Sequence, residues 1–295
     1  MTKYQSNLES IRLRTDRNCS GGQDSSTTPF LSGFPKLRHL SWAGLTVDNL
    51  RHLADILGDI TQQIEDLELN FGDPNELDTY YHICSLFSGA VNADGATNKV
   101  FSSLRVLSLA GFEICQCHED LAHSPVRYSA LTEAIDLLSL KSLKLRFCRD
   151  SGLLLSHMTA FLPPLALRSF EIQDSPYSEH EGTESPLLSF LENFGGLEEL
   201  FIQTSTFVPT LDVYRAAVHH KATLRHFAHY QVTQIDRDRY EDEYERHERG
   251  LANLFLQDTG DPEDDRISKF MSDLDLESIG LCCSNLYSMV CDLIY

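Results

Sequence analysis

The sequence predicts an α/β fold in which short parallel strands alternate with helices along the whole chain. The first observation is the leucine spacing in residues 140–148, LKSLKLRFC, which follows the pattern L-x-x-L-x-L-x-x-C. Leu143 and Leu145 are two residues apart, so a strand places both on one face and leaves Lys144 and Arg146 on the other. The second observation is that the L-x-x-L-x-L part of this pattern recurs nine times.

The nine copies are nearly regular in spacing. They begin at Leu8, Leu37, Ile64, Leu104, Leu140, Leu167, Leu197, Leu224 and Leu276. Successive starts lie 29, 27, 40, 36, 27, 30, 27 and 52 residues apart. Four of these intervals fall in the range of about 20–29 residues that leucine-rich repeats have, and the longer ones predict insertions. We therefore predict a right-handed leucine-rich-repeat solenoid, a horseshoe of ribonuclease-inhibitor type with about nine irregular repeats, in one domain over residues 1–295.

The third observation is that helical patterns separate the copies. Apolar residues recur at helical spacing in the segments between consecutive strands. Ser-Pro pairs at 124–125 and 185–186 have the form of an N-cap followed by the first helical residue. The predicted helices cover roughly 46–57, 75–87, 125–138, 154–161, 185–194 and 209–218.

An insertion at 236–275 separates the last two copies and is strongly charged. From 236 to 277 the chain has 15 acidic and 6 basic residues. Asp242/Arg246 and Glu245/Arg249 are acid–base pairs four apart, in the favourable order for a helix. We predict a charged helix followed by an acidic loop. Two interpretations stay open: a projection gripped by a basic partner, or a solvated spacer.

Composition excludes several classes of function. The net charge of −20 argues against a nucleic-acid-binding surface, which needs a basic footprint. No apolar run of about 18 residues is present, so no membrane span is predicted. Residues 1–10 lack the apolar core of a secretory signal. The eight cysteines form no C-x-x-C pair, which predicts reduced thiols in a cytoplasmic or nuclear protein.

No catalytic or metal-binding motif was found. The nucleophile-elbow, zinc-protease, P-loop and dinucleotide fingerprints are all absent from the sequence. Cys115, Cys117, His118 and His123 lack the spacing of a zinc site, and we interpret them as an insertion loop. His219, His220, His226 and His229 are interpreted as structural. We therefore predict no enzyme, no cofactor and no metal, with a hydrolase as the least favoured alternative.

The concave face of the predicted solenoid is the candidate binding surface for a protein partner. Outward strand positions carry mostly small or polar side chains, together with aromatic and basic residues of the kind that dominate interfaces. An exposed strand face without a partner is the alternative. The candidate partner-binding residues are Asp66, Glu68, Asn70, Lys144, Arg146, Glu171, Gln173, Glu199, Phe201, Gln203, His226 and Tyr230.

Two segments, HHKATLRHF at 219–227 and LDLESIGLCCS at 274–284, carry a family resemblance. They resemble the C-terminal leucine-rich region of F-box proteins from filamentous fungi. The resemblance implies that the repeats hold a substrate, while an upstream F-box docks to the ubiquitin-ligase scaffold. No F-box-like L-P-x-E pattern precedes Leu8, so the resemblance covers the repeats alone. The alternative is a stand-alone repeat protein that inhibits or activates an enzyme or GTPase, for which Arg12 and Arg14 are candidate residues.

Overall fold

The fold is described here from a computed structural model of the chain. The structure describes residues 7–15, 34–45, 49, 53, 57, 60–71, 81–82, 86, 101–114, 129–161, 164–173, 185–204, 210–231 and 273–281.

A nine-stranded, wholly parallel sheet organises the chain. Its strands follow one another in sequence order from one edge to the other, so that each strand pairs with the next large strand along the chain. They are β1 (Ser10–Arg14), β2 (His39–Ala43), β3 (Asp66–Asn70), β5 (Val106–Ala110), β7 (Ser142–Arg146), β8 (Ser169–Gln173), β9 (Glu199–Thr204), β10 (His226–Gln231) and β11 (Ser278–Leu281). Two short strands, β4 (Tyr81–His82) and β6 (Phe112–Glu113), form a separate parallel pair.

The strands align position for position with the predicted copies. Each large strand begins at the third position of its L-x-x-L-x-L-x-x unit, and equivalent positions pair across the sheet. Leu143 of β7 pairs with Leu107 of β5 on one side and with Phe170 of β8 on the other. The inward residues therefore stack in rows. The predicted strand positions and the α/β class are confirmed.

The amino ends of the strands share one hydrogen-bonding pattern. The carbonyl of the residue before each strand accepts two backbone N–H groups from the next unit; the Glu65 carbonyl, for example, accepts those of Arg105 and Val106 at 2.7 and 3.0 Å. The residues at this position are charged throughout: Glu9, Arg38, Glu65, Arg105, Lys141, Arg168, Glu198, Arg225 and Glu277. Arg38 pairs with Glu65, and Arg168 pairs with Glu198 at 3.3 Å. The residues that precede the strands therefore form a row of charged side chains, of both signs, along the amino edge of the sheet.

Four helices are described in full, all of them from residue 129 onward. They are α1 (Ser129–Ala134), α2 (Ser151–Phe161), α3 (Pro186–Glu192) and α4 (Thr210–His219). Ser185 has the extended backbone of an N-cap and Pro186 is at the first helical position, as predicted. Between β2 and β3, helical positions are described at 49, 53, 57 and 60, where Leu53, Leu57 and Ile60 are buried.

Two helix predictions differ from the structure. Within the helix predicted at 75–87, Tyr81–His82 form β4 instead, because their backbone pairs with Phe112–Glu113. Helical apolar spacing in a short run cannot exclude such a pairing. The helix predicted up to Leu138 ends at Ala134, and Leu138 lies in a turn with 45% of its surface exposed. The predicted helix start at 124–125 lies outside the described residues.

One hydrophobic core joins the strands and the helices. Inward strand residues such as Leu107 and Leu145 belong to the same cluster as Leu154 and Met158 of α2. The described core runs from Leu37 to Leu274. Because one sheet face is committed to this core, the other face is left for solvent or a partner.

The turn after the strand has an unusual backbone at three equivalent positions. Gly44, Gly111 and Phe147 each follow directly on a strand and have φ angles of 75°, 74° and 52°. Glycine adopts this left-handed conformation without steric cost, whereas phenylalanine does not. Cys148 follows Phe147 and is fully buried, as its place at the end of the nonapeptide predicts.

Most of the predicted insertion at 236–275 lies outside the described residues, as do Cys115, Cys117, His118 and His123. The division into a single domain with this insertion stays a prediction. Among the described residues, no helix is both long and apolar enough to cross a membrane.

Candidate functional site

All twelve predicted partner-binding residues lie on the sheet face opposite the core, which we call the polar sheet face. Their positions follow from the alternation along each strand. In β3, for example, Leu67 and Leu69 are fully buried, while Glu68 is only partly covered and Asn70 is exposed. The structure brings the twelve residues onto one surface over β3, β7, β8, β9 and β10. That they contact a partner stays a prediction.

Arg146 and Glu171 form the strongest polar contact on this face. Nε of Arg146 donates to Oε1 of Glu171 at 2.6 Å, and Nη2 donates to Oε2 at 2.7 Å. Gln173 Nε2 donates to the same carboxylate at 2.6 Å. Burial would raise the pKa of Glu171, but the hydrogen bonds and charge of Arg146, with help from Gln173 and Lys144, lower it. Glu171 is therefore a firmly ionised partner of Arg146.

Arg146 also reaches across β5 toward β3. Its Nη1 lies 3.7 Å from Oε1 of Glu68, although Glu68 is two strands away in the sheet. The intervening strand permits this because it carries only Ser108 and Ala110 beneath the guanidinium, and these are 4% and 8% exposed. The other oxygen of Glu68 accepts a hydrogen bond from Ser41 at 2.8 Å. We call the residues Ser41, Glu68, Arg146, Glu171 and Gln173 the charge network.

The charge network changes the interpretation of Lys144 and Arg146, the two lysine or arginine residues among the predicted partner-binding residues. Arg146 is not a free cation, since two carboxylates of the same chain neutralise it. Lys144 lies beside it, close enough to Glu171 and Asp66 to favour their charged forms. Burial nevertheless raises the pKa of Asp66, with His39 and Lys144 opposing the rise and Glu68 adding to it. The middle of the polar sheet face is thus largely compensated in charge.

The other end of the polar sheet face, over β9 to β11, combines aromatic rings with small side chains. Phe201 is partly exposed and Tyr230 on the next strand is 45% exposed. Phe201 pairs in register with Ala228, which in turn pairs with Gly280, so the row contains only small residues on the β10 side of the ring. On the β8 side, Phe201 pairs in register with Glu171. Glu199 precedes Phe201 by two residues on the same face and is exposed. We call Glu199, Phe201, Ala228, Tyr230 and Gly280 the aromatic trough.

A serine–histidine contact borders the trough. Nδ1 of His226 lies 2.8 Å from Oγ of Ser278 on the neighbouring strand, and Nε2 lies 3.9 Å from Oε2 of Glu277. The sequence does not predict this contact, because 52 positions separate His226 from Ser278. A nucleophile–base pair needs an orienting hydrogen bond of about 2.6–3.2 Å, and the Glu277 contact is longer than that. All three side chains are also open to water. The geometry is that of a cross-strand polar pair.

Two histidines belong to the core. His229 points inward from β10, where its ring packs edge-on against Tyr214 of α4 with centroids 6.1 Å apart. The ring of His220 packs at a tilt of 51° against that of Phe194, with centroids 5.3 Å apart. Burial lowers the pKa of both to about 4, and the neighbouring His219 adds to the effect at His220 while the Leu191 carbonyl opposes it. The prediction that His226 and His229 lie on opposite faces of a strand is confirmed.

Neither a metal centre nor a known relative identifies the site. Within the described ranges, no group of three or more His, Cys, Asp or Glu side chains is arranged to hold a metal ion. Comparison with protein-family models, with curated proteins and with solved structures finds no significant match. The polar sheet face is therefore interpreted from its own chemistry.

Proposed function

We propose that the chain is a right-handed leucine-rich-repeat solenoid whose polar sheet face binds a protein. The observation that carries the proposal is the sheet itself: nine parallel strands in sequential order, with a leucine ladder on one face and polar or aromatic side chains on the other. Parallel sheets are usually covered on both faces. A parallel sheet with one open face is typical of repeat proteins that use this face for recognition.

The chemistry of the open face supports protein recognition over catalysis. It offers a charge network on rigid strands and a pair of aromatic rings at one end. Aromatic residues and arginine are the types that contribute most at protein interfaces. No enclosed arrangement of nucleophile, base and orienting group is formed by the described residues.

The more specific proposal is that the solenoid is the substrate-recognition part of an F-box-type ubiquitin-ligase adaptor. It rests on the resemblance of segments 219–227 and 274–284 to the repeats of fungal F-box proteins. The repeats would hold the substrate, and an F-box would supply the contact with the ligase scaffold. The native transcript provides the check: an F-box-coding sequence joined upstream supports this role, and a mature transcript starting at Met1 opposes it.

Quantitative affinity capture tests the binding face. The wild type is compared with a Phe201→Ala/Tyr230→Ala variant and with a control, Glu192→Ala/Arg215→Ala, which alters exposed helix positions. We expect the face variant to lose at least one partner that the wild type and the control retain at equal abundance. Identical partner sets for all three proteins would refute the proposal.

A second candidate function is supported by the opposite end of the same face. Arg12 and Arg14 are both exposed on β1, and neither makes an ion pair with another described residue. An exposed arginine of this kind is what a GTPase activator or an enzyme regulator would insert into its target. Stimulation of GTP hydrolysis that is lost in Arg12→Ala/Arg14→Ala would favour this function, and unchanged hydrolysis rates would exclude it.

A further inference from the structure

We infer that the aromatic trough takes a basic side chain, specifically an arginine, from the protein partner. The inference rests on the proposed function, because it assigns a partner chemistry to one end of the same face. Three properties of the trough lead to it: the partly exposed ring of Phe201 and the exposed ring of Tyr230, which do not stack on each other, a floor of small residues, and a carboxylate at the rim.

The two rings lie on adjacent strands of the polar sheet face. Phe201 pairs with Ala228, and Tyr230 lies two residues beyond Ala228 on the same strand, so the rings are diagonal neighbours on adjacent strands. Residues in this relation are about 7–8 Å apart at Cα, within reach of long side chains. Neither ring stacks on another aromatic ring of the described residues. A planar group can therefore lie against either ring face.

The floor of the trough is set by small residues. Ala228 and Gly280 occupy the row that continues from Phe201 toward the sheet edge. A Cβ placed on Gly280 would approach the Cβ of Ala228 to 3.1 Å, so the backbones of β10 and β11 run close together at this point. Neither Ala228 nor Gly280 has a side chain long enough to cover the phenyl ring from the β10 side.

The rim carries a carboxylate without a charge partner among the described residues. The side chain of Glu199 is exposed and makes no ion pair or hydrogen bond with them, in contrast to Glu171 on the adjacent strand, which pairs with Arg146. Glu198 pairs with Arg168 at 3.3 Å. The Glu199 carboxylate therefore lies next to the partly exposed Phe201 ring without a partner among the described residues, in a chain whose net charge is −20. A cationic ligand is complementary to this end of the face.

Arginine fits this combination better than other side chains. Its guanidinium is planar, stacks on aromatic faces and donates a pair of hydrogen bonds to a carboxylate. The Arg146–Glu171 contact is such a pair of hydrogen bonds within the chain, and Glu171 pairs in register with Phe201. An arginine of the partner would stack its guanidinium on the ring of Phe201 or Tyr230 and direct its N–H donors toward the carboxylate of Glu199.

A titration followed by nuclear magnetic resonance tests the inference on the full chain. The probes are N-acetyl-arginine amide and its neutral isostere N-acetyl-citrulline amide, at constant ionic strength. We expect saturable shifts of the backbone amides of residues 199, 201, 228, 230 and 280 with the arginine probe, at millimolar affinity. The citrulline probe should bind at least fivefold more weakly.

Two variants separate the contribution of the Phe201 ring to arginine binding from that of the Glu199 carboxylate. Glu199→Gln and Phe201→Leu should each weaken arginine binding about three- to tenfold, because each removes one exposed electrostatic contact. Phe201→Leu keeps an apolar side chain, so it serves as the variant least disturbing to the fold. Glu192→Gln, which removes an exposed carboxylate on α3, should leave the binding unchanged.

Two results would overturn the inference: equal binding of arginine and citrulline, or arginine binding that survives both trough variants. Neither result touches the proposed function, which the capture experiment decides separately. Arginine binding at the trough combined with identical captured partners for all variants would instead refute the proposed function and leave the site itself intact.

Discussion

At the scale of single residues, the most informative side chain is Arg146. Its guanidinium forms an ion pair with Glu171 on one side and approaches Glu68 on the other, across β5, which carries small side chains at this point. Glu171 is only 14% exposed, so its carboxylate depends on this partner. The sequence predicts that Arg146 points out of the sheet. It does not predict which carboxylate it meets, because that depends on the reach of a long side chain over a neighbouring strand.

Replacing Arg146 should destabilise the protein more than its exposed position suggests. We expect Arg146→Ala to lower the free energy of unfolding by about 1–3 kcal/mol, because Glu171 would be left partly buried without its charge partner. Urea denaturation measures the change. Lys144→Ala, on the same strand and face, is the control and should cost about 0.5 kcal/mol or less. Equal losses for the two variants would show that the Arg146 contacts contribute nothing particular.

The buried His229 should make the free energy of unfolding depend on pH. Its folded-state pKa of about 4 lies below the ordinary value of 6.5, so between these pH values the unfolded chain binds a proton that the folded chain does not. Stability is therefore unaffected above about pH 6.5 and falls as the pH drops toward 4. The expected slope is about 1.4 kcal/mol per pH unit for such a histidine.

Substitution of His229 by leucine, the residue type that the repeat pattern favours there, should remove that contribution. We expect His229→Leu to reduce the fall in unfolding free energy between pH 6 and pH 5 by about 1 kcal/mol, measured by urea denaturation at each pH. Ile202→Leu, a volume-conserving change at the paired position on β9, is the control. An unchanged slope in His229→Leu would show that the ring is already protonated or accessible in the folded state.

At the scale of elements, the strands follow from sequence far better than their connections do. All nine strands lie where the L-x-x-L-x-L copies predict them, because alternation with a fully buried face leaves one register that hides the leucines. The connections depend on contacts between distant residues. The backbone pairing of β4 with β6 replaced a predicted helix, and the left-handed turn after β7 uses Phe147 where the turns after β2 and β5 use glycine.

Gly111 provides a test of these turns. A Cβ at Gly111 would meet the backbone oxygen of Phe71 at 2.7 Å, and its φ of 74° disfavours any side chain. We expect Gly111→Ala to cost about 2 kcal/mol or more, from strain and steric overlap. Gly195→Ala is the matched control, since a Cβ there has nothing within 4 Å, and it should change stability by about 0.5 kcal/mol or less. Thermal or urea unfolding distinguishes the two, and equal effects would contradict the described turn geometry.

At the scale of the whole molecule, the backbone of each large strand pairs only with its neighbours in sequence order. In such an array the free energy of local opening can differ from one repeat to the next, because each repeat is stabilised mainly by its own neighbours. The two outermost described strands are also less covered: Ile11 and Leu13 of β1 are partly exposed, and Ile279 of β11 is 46% exposed. Stability should therefore vary along the sheet.

Hydrogen exchange measures that variation directly. We expect backbone amides of β5, β7 and β8 to exchange at least about tenfold more slowly than those of β1 and β11, because opening an end strand breaks one interface and opening a central strand breaks two. Uniform protection of all nine strands would show that the sheet opens as a single unit, in conflict with a neighbour-by-neighbour array.

Photo-crosslinking tests whether the protein partner binds at the polar sheet face. A photoreactive phenylalanine derivative is placed at Phe201 on the polar sheet face and, in a second protein, at Ser156, an exposed position on α2. Both proteins are irradiated in extracts of the native cells. The account predicts that a distinct protein adduct forms from position 201 and not from position 156. Adducts that form only from position 156, or equally from both positions, would contradict it.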